Sequence, residues 1–130
     1  MAEKRIIHGW LLDPETRENL LALHPPRYEQ VMAEHVTYKT GADGAALPDA
    51  VDCLVVGRAD DGEGVEALVV SISGSTDRPD GSTWHITWSL AEGRRAKESN
   101  GVIAALGWEA FAQPHAITLI PGWWKWIEGR

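Results

Sequence analysis

The chain holds one cysteine, one phenylalanine and two tyrosines in 130 residues. A lone cysteine, Cys53, excludes an intramolecular disulfide and makes a reducing, cytoplasmic setting the simpler expectation. No apolar run approaches the roughly 20 residues needed to cross a bilayer, so no membrane partner is expected. The first residues are charged, and no apolar signal-peptide core follows them. Positive charge is scarce as well: twelve Lys and Arg stand against nineteen Asp and Glu, for a formal charge of −7. A protein that grips a nucleic-acid duplex by its phosphates carries a basic face, so stable duplex binding is not expected. Phosphate chemistry, if present, would be local: a pocket acting on a small molecule or on one end of a polymer.

Metal and cofactor signatures are missing too. Cys53 does not combine with His8, His24 or His115 at zinc-ligand spacing, and no glycine-rich loop is built to cradle phosphate. The expectation is a site that needs no metal and no cofactor. What is present is an ordinary globular composition, 44% hydrophobic and 24% charged, in a chain long enough for one domain with its own core.

Periodicity assigns an α+β architecture with five or more strands, mainly antiparallel, and two or three short helices. Asp13 followed by Pro14 marks a helix start, with Leu20, Leu21 and Leu23 on its apolar side and Pro25-Pro26 as its stop. Residues 27–33 read as a second short helix. Residues 51–59 and 65–73 read as strands covered on both faces, joined by a glycine-bearing hairpin loop. Residues 97–106 fit a short helix broken or started around Asn100-Gly101, and 115–120 a last strand ending at Pro121-Gly122. Of the seven tryptophans, Trp84 and Trp88 belong to the core by alternation, and Trp123, Trp124 and Trp126 are expected to seal the end of a sheet, stacking on a base being the competing reading.

Two segments have one form: His35-Val36-Thr37-Tyr38 and His85-Ile86-Thr87-Trp88. On a strand this spacing sets His and Thr on one face, about 7 Å apart, with the apolar residues turned to the core. Cleaving a phosphodiester with water needs one proton taken from the nucleophile and one given to the leaving oxygen. Two imidazoles near neutrality can do both, and threonine hydroxyls can donate to the non-bridging oxygens. Either element alone would mean little; as a pair, with matched apolar flanks, they form a candidate site. Lys39 and Ser89 extend the two polar faces by alternation and are candidate substrate contacts; an exposed strand-end lysine is the competing reading of Lys39. Arg94, Arg95 and Lys97 form the densest basic cluster, suited to drawing an anion or simply solvated. Ser99 and Asn100 can hold a ribose or phosphate, or cap the following helix.

The paired motifs resemble the two-histidine phosphoesterase superfamily, which shares two H-x-[ST]-x motifs with apolar x positions. The run from His85 to Leu90 followed by 96–100, with its Ser99-Asn100 pair, is similar to the cyclic phosphodiesterase domain of tRNA ligases. The resemblance spans about residues 28–120. It implies a two-lobed, pseudo-twofold α+β fold (LigT-like, or cyclic phosphodiesterase-like) in which each lobe offers one motif. It also implies His35, Thr37, His85 and Thr87 as the catalytic set, and metal-independent opening of a 2′,3′-cyclic phosphate on an RNA end or a small nucleotide. By the same analogy His85 activates water and His35 protonates the leaving oxygen. The short interval between motifs and the bulky Tyr38 and Trp88 depart from the commonest pattern and bear on the substrate. The alternatives are a nucleotide or RNA-end binding module without turnover, cleavage of cyclic oligonucleotide signals, and an interaction domain with coincidental motifs.

Overall fold

A computed structural model describes residues 4–41, 52–79 and 81–127. The order of elements is β1 (Lys4–Leu12), α1 (Pro14–Leu23), β2 (Gln30–Val31), β3 (His35–Gly41), β4 (Cys53–Asp60), β5 (Val65–Ile72), β6 (His85–Leu90), α2 (Glu98–Leu106), β7 (Glu109–Ile117) and β8 (Leu119–Ile127). The strands form two antiparallel sheets, ordered β3-β1-β8 and β2-β6-β5-β4-β7. The α+β expectation is met. No helix among the described residues is long and apolar enough to cross a membrane.

The two sheets share a core. Trp10, Leu12 and Val36 of the small sheet meet Val55, Leu68, Val70, Ile86 and Trp88 of the large one, with Leu20 of α1 and Trp84 between them. Burying such aromatic and branched side chains contributes roughly 1.5–3 kcal/mol each, so this layer holds the sheets together. The opposite face of the large sheet packs Ala59, Ala67 and Val69 against Ile103 of α2. β5 is therefore buried along its whole length. In β4 the expected double cover is incomplete, because Leu54 is exposed.

Helix α1 starts as its sequence dictates. Asp13 caps it, its carboxylate accepting the Thr16 N–H at 3.2 Å, and Pro14 fills the first position where no N–H is needed. Leu20 is buried and Leu21 partly so, but Leu23 lies exposed and takes no part in the apolar side expected of it.

Residues 27–33 form no helix; within them only Gln30–Val31 is a strand. Their backbone donors are spent on neighbours rather than on one another. Arg27 N–H donates to Glu66 Oε1 at 3.0 Å, Tyr28 N–H to Ser89 Oγ at 3.2 Å, and Met32 N–H to the Trp88 carbonyl at 2.9 Å. A short helix with modest propensity cannot compete with sheet pairing of that kind. The C-terminal region holds two strands, not one: β7 on the edge of the large sheet and β8 on the edge of the small one. Pro121 falls inside β8, which an edge strand tolerates because its missing N–H faces no partner. Helix α2 runs unbroken through Gly101.

Candidate functional site

The two His-x-Thr segments meet where the chain changes sheets. From β2 the chain runs antiparallel to β6, with Gln30 opposite Leu90 and Val31 opposite Ser89. At Ala33 it still donates its N–H to the Thr87 carbonyl at 3.0 Å; one residue later the Glu34 carbonyl accepts the Leu12 N–H of β1 at 2.9 Å. The switch is made at Ala33, which holds φ at 49°, a left-handed value uncommon outside glycine. β3, though bonded to the other sheet, stays beside β6, and His35 and His85 lie close enough for the charge of His85 to act on His35.

Strand phase follows the sequence reading. Val36, Ile86 and Trp88 are fully buried, while His35, Thr37, His85 and Thr87 are half-buried on the other side. Behind the motifs, Tyr38 packs between Trp10 (centroids 5.6 Å) and Trp84 (6.2 Å), and Trp10 meets Trp84 at 5.4 Å. These contacts couple β1 and β3 to the start of β6.

Both motif strands carry a β-bulge at the same motif position. In β3 the pairing with β1 goes from Thr37–Gly9 to Lys39–His8, passing over Tyr38. In β6 the pairing with β5 goes from Thr87–Ala67 to Ser89–Glu66, passing over Trp88. A bulge bends its strand and re-aims the side chains beside it. The fourth residue of each motif is thus a structural counterpart of the other.

The bulge in β6 also corrects the expectation for Ser89. With the alternation interrupted, Trp88, Ser89 and Leu90 are all buried, and Ser89 turns away from the site. Its hydroxyl donates to Glu66 Oε1 at 2.7 Å and accepts the Tyr28 N–H. Ser89 is therefore a structural hydroxyl, closed to substrate.

The histidines differ in electrostatics. Burial, and secondly the charge of nearby His85, lowers the His35 pKa from 6.5 to about 4. His35 is neutral at neutral pH. His85 Nδ1 lies 2.8 Å from the Thr83 carbonyl. A carbonyl can only accept, so Nδ1 carries the hydrogen in this contact.

Thr87 is supported by the turn that starts α2. Its hydroxyl lies 2.9 Å from Ser99 Oγ and 3.4 Å from the Ala96 carbonyl. Ser99 is fully buried, so it acts on Thr87 and not on a ligand, which corrects its expected role. Lys97 and Asn100 are exposed at the start of α2, and no contact among the described residues ties either side chain to the motifs. Arg94 is spent on Asp61 at 2.9 Å, Glu98 at 3.1 Å and the Glu63 carbonyl at 2.7 Å, which favours the plain reading of the basic cluster. The side chains of Lys39, Trp123, Trp124 and Trp126 lie outside the described residues; the backbone of the three tryptophans pairs with β1.

Two residues at the site escaped the sequence reading. Arg17 of α1 donates from Nε to the Ala33 carbonyl at 2.9 Å and from Nη2 to the Met32 carbonyl at 3.3 Å. Arg78 donates to the Tyr38 carbonyl from Nε at 3.4 Å and Nη2 at 3.3 Å, with its guanidinium 5.9 Å from the Trp84 ring centre. Arg78 also donates from Nη1 to Ser82 Oγ at 3.4 Å, but the contacts both arginines make beside the motifs are to backbone carbonyls, which no side-chain pattern announces. Among the described residues no group of three or more His, Cys, Asp or Glu could hold a metal. No protein-family model, curated protein or solved structure matches this chain.

Proposed function

We propose that the chain is a metal-independent phosphodiesterase that opens a 2′,3′-cyclic phosphate, on an RNA end or a small nucleotide, by two-histidine acid–base catalysis. The observation that carries this reading is the juxtaposition of two equivalent strands. Each has His and Thr on its half-buried side, each bulges at the fourth motif residue, and the chain crosses between sheets so that β3 lies beside β6 with His35 within electrostatic reach of His85. Chance motifs would have no reason to share both a bulge position and a meeting point. In this reading the strands are related as pseudo-twofold partners, in the manner of the two-histidine phosphoesterases. The helices are not, since α1 precedes its motif strand and α2 follows its own.

The reaction divides between unlike histidines. His35, neutral at working pH, takes a proton from water as the water oxygen bonds to phosphorus. The bond to the 2′ or 3′ oxygen breaks, and that oxygen receives a proton from His85 Nε2. This reverses the assignment drawn from family analogy. An imidazole held near 4 is a weak base, but a bound phosphate anion offsets lost hydration and lifts it towards neutrality, where a base works best. Thr37 and Thr87 donate to the non-bridging oxygens as their charge grows. Ser99 Oγ, 2.9 Å away, holds the Thr87 hydroxyl in place, and a substrate oxygen would replace that hydroxyl's long 3.4 Å contact to the Ala96 carbonyl.

The test is hydrolysis of 2′,3′-cyclic AMP with and without EDTA, by the wild type and by His35→Ala and His85→Ala. The expected result is EDTA-resistant turnover with a bell-shaped pH profile, each substitution reducing the rate by at least roughly two orders of magnitude. Binding without turnover would replace the enzyme by a binding module, and no interaction with any cyclic phosphate would end both readings.

A further inference from the structure

The backbone around His35 is held from two sides by arginines. Upstream, the Ala33 crossover is a place where the chain could relax. Its left-handed φ of 49° is strained in a non-glycine residue, and its neighbours must turn from one sheet to the other within a single peptide. Arg17 spans two consecutive carbonyls, Met32 and Ala33, at that step. The planar fork of a guanidinium suits two acceptors, whereas an ammonium serves as a single point. Downstream, the Tyr38 carbonyl at the bulge accepts from Arg78, whose segment leads directly into β6. The corresponding bulge carbonyl in β6, that of Trp88, accepts from Met32 N–H in the segment leading into β3. Each bulge is thus tied to the chain that precedes the other motif.

We propose that Arg17 and Arg78 are positioning residues: acting through the backbone two residues before and three residues after His35, they set its distance and orientation relative to His85. Their carbonyl contacts act on the backbone that carries His35. Their effect is on the alignment of a proton acceptor and a proton donor around one phosphate, where a displacement of about 1 Å can cost on the order of a hundredfold in rate. This rests on the reading of His35 and His85 as an acid–base pair.

The experiment compares wild type with Arg17→Met, Arg78→Met and the milder Arg17→Lys. It measures kcat and KM on 2′,3′-cyclic AMP and, independently of activity, the NMR titration of His35. Removing either clamp is expected to lower kcat by roughly tenfold or more with KM changed by less than about threefold. The His35 midpoint should move from about 4 towards 6.5 as burial and the proximity of His85 are lost. Arg17→Lys, with one donor point for two carbonyls, should fall between wild type and Arg17→Met on both readouts. Folded variants with unchanged kcat and an unchanged His35 midpoint would overturn the proposal. So would a loss of activity that only tracks the folded fraction while the His35 midpoint of the folded form stays put. If the wild type hydrolyses no cyclic phosphate, the acid–base reading fails, and the His35 midpoint alone decides whether the arginines hold the pair.

Discussion

The two motif strands share a sequence pattern and a bulge position, yet they are supported very differently. β6 lies inside the large sheet, bonded to β5 on one side and to β2 on the other, while β3 is the edge of a three-stranded sheet. The far end of β6 is fastened by a fully buried carboxylate: Glu66 accepts from Ser89 and Arg27 and lies 3.1 Å from Arg58 Nε. On β6, His85 has its tautomer set by a carbonyl and Thr87 has Ser99 beneath it. On β3, backbone clamps hold the strand, and His35 is the half-buried imidazole whose pKa burial lowers, favouring its neutral form. One half of the site is preorganised by side-chain hydrogen bonds, the other by the path of the chain.

That contrast can be broken at its strongest point first. Glu66→Ala leaves Arg58 and the Ser89 hydroxyl without their partner inside the sheet. Breaking a buried ion pair from one side should lower unfolding free energy by about 3–5 kcal/mol, read by urea denaturation. A loss below about 1 kcal/mol would mean that the β6 bulge does not depend on the carboxylate.

The two threonines give a smaller and more discriminating comparison. Thr87→Val strands the buried Ser99 hydroxyl and should cost about 1–3 kcal/mol of stability. Thr37→Val should stay within about 0.5 kcal/mol, because among the described residues no side chain is bonded to the Thr37 hydroxyl. Equal costs at the two positions would contradict the difference drawn between the strands.

A third test is the pH dependence of stability. The folded pKa of His35 lies below its unfolded value, so between pH 6.5 and about 4 the unfolded chain binds more protons. The His35 contribution therefore makes stability fall as pH drops through that window and leaves it level above. Half-buried His24, lowered by burial and then by Arg58 and His115, contributes with the same sign. Denaturation midpoints at several pH values should show a shallower slope for His35→Gln than for wild type. An unchanged slope would show that His35 is as solvated in the folded chain as in the unfolded one.

Much of the core was legible one residue at a time. Alternation identifies Val36, Trp84, Ile86 and Trp88 as buried, and the Asp13-Pro14 pair identifies the start of α1, because these depend on local geometry. Where the reading failed, a distant partner had intervened. Residues 27–33 give their backbone donors to β6 and Glu66, so a weak helical pattern lost to sheet pairing. Ser89 lies one residue beyond a bulge, and an extra residue reverses the face on which an alternating pattern falls. Arg17 and Arg78 bind carbonyls, which every residue possesses, so nothing in their sequence context distinguishes them.

By itself the sequence determined the α+β class and the matched His-x-Thr elements, with their apolar residues turned inward. Those follow from side-chain chemistry and the twofold repeat of a strand. Only the tertiary structure decided that the two elements meet, that Ser99 supports Thr87, and that His35 is the imidazole held neutral. Proximity, burial and charge are set by the crossover at Ala33 and the packing of two sheets on one core, and these arise between residues far apart in the chain.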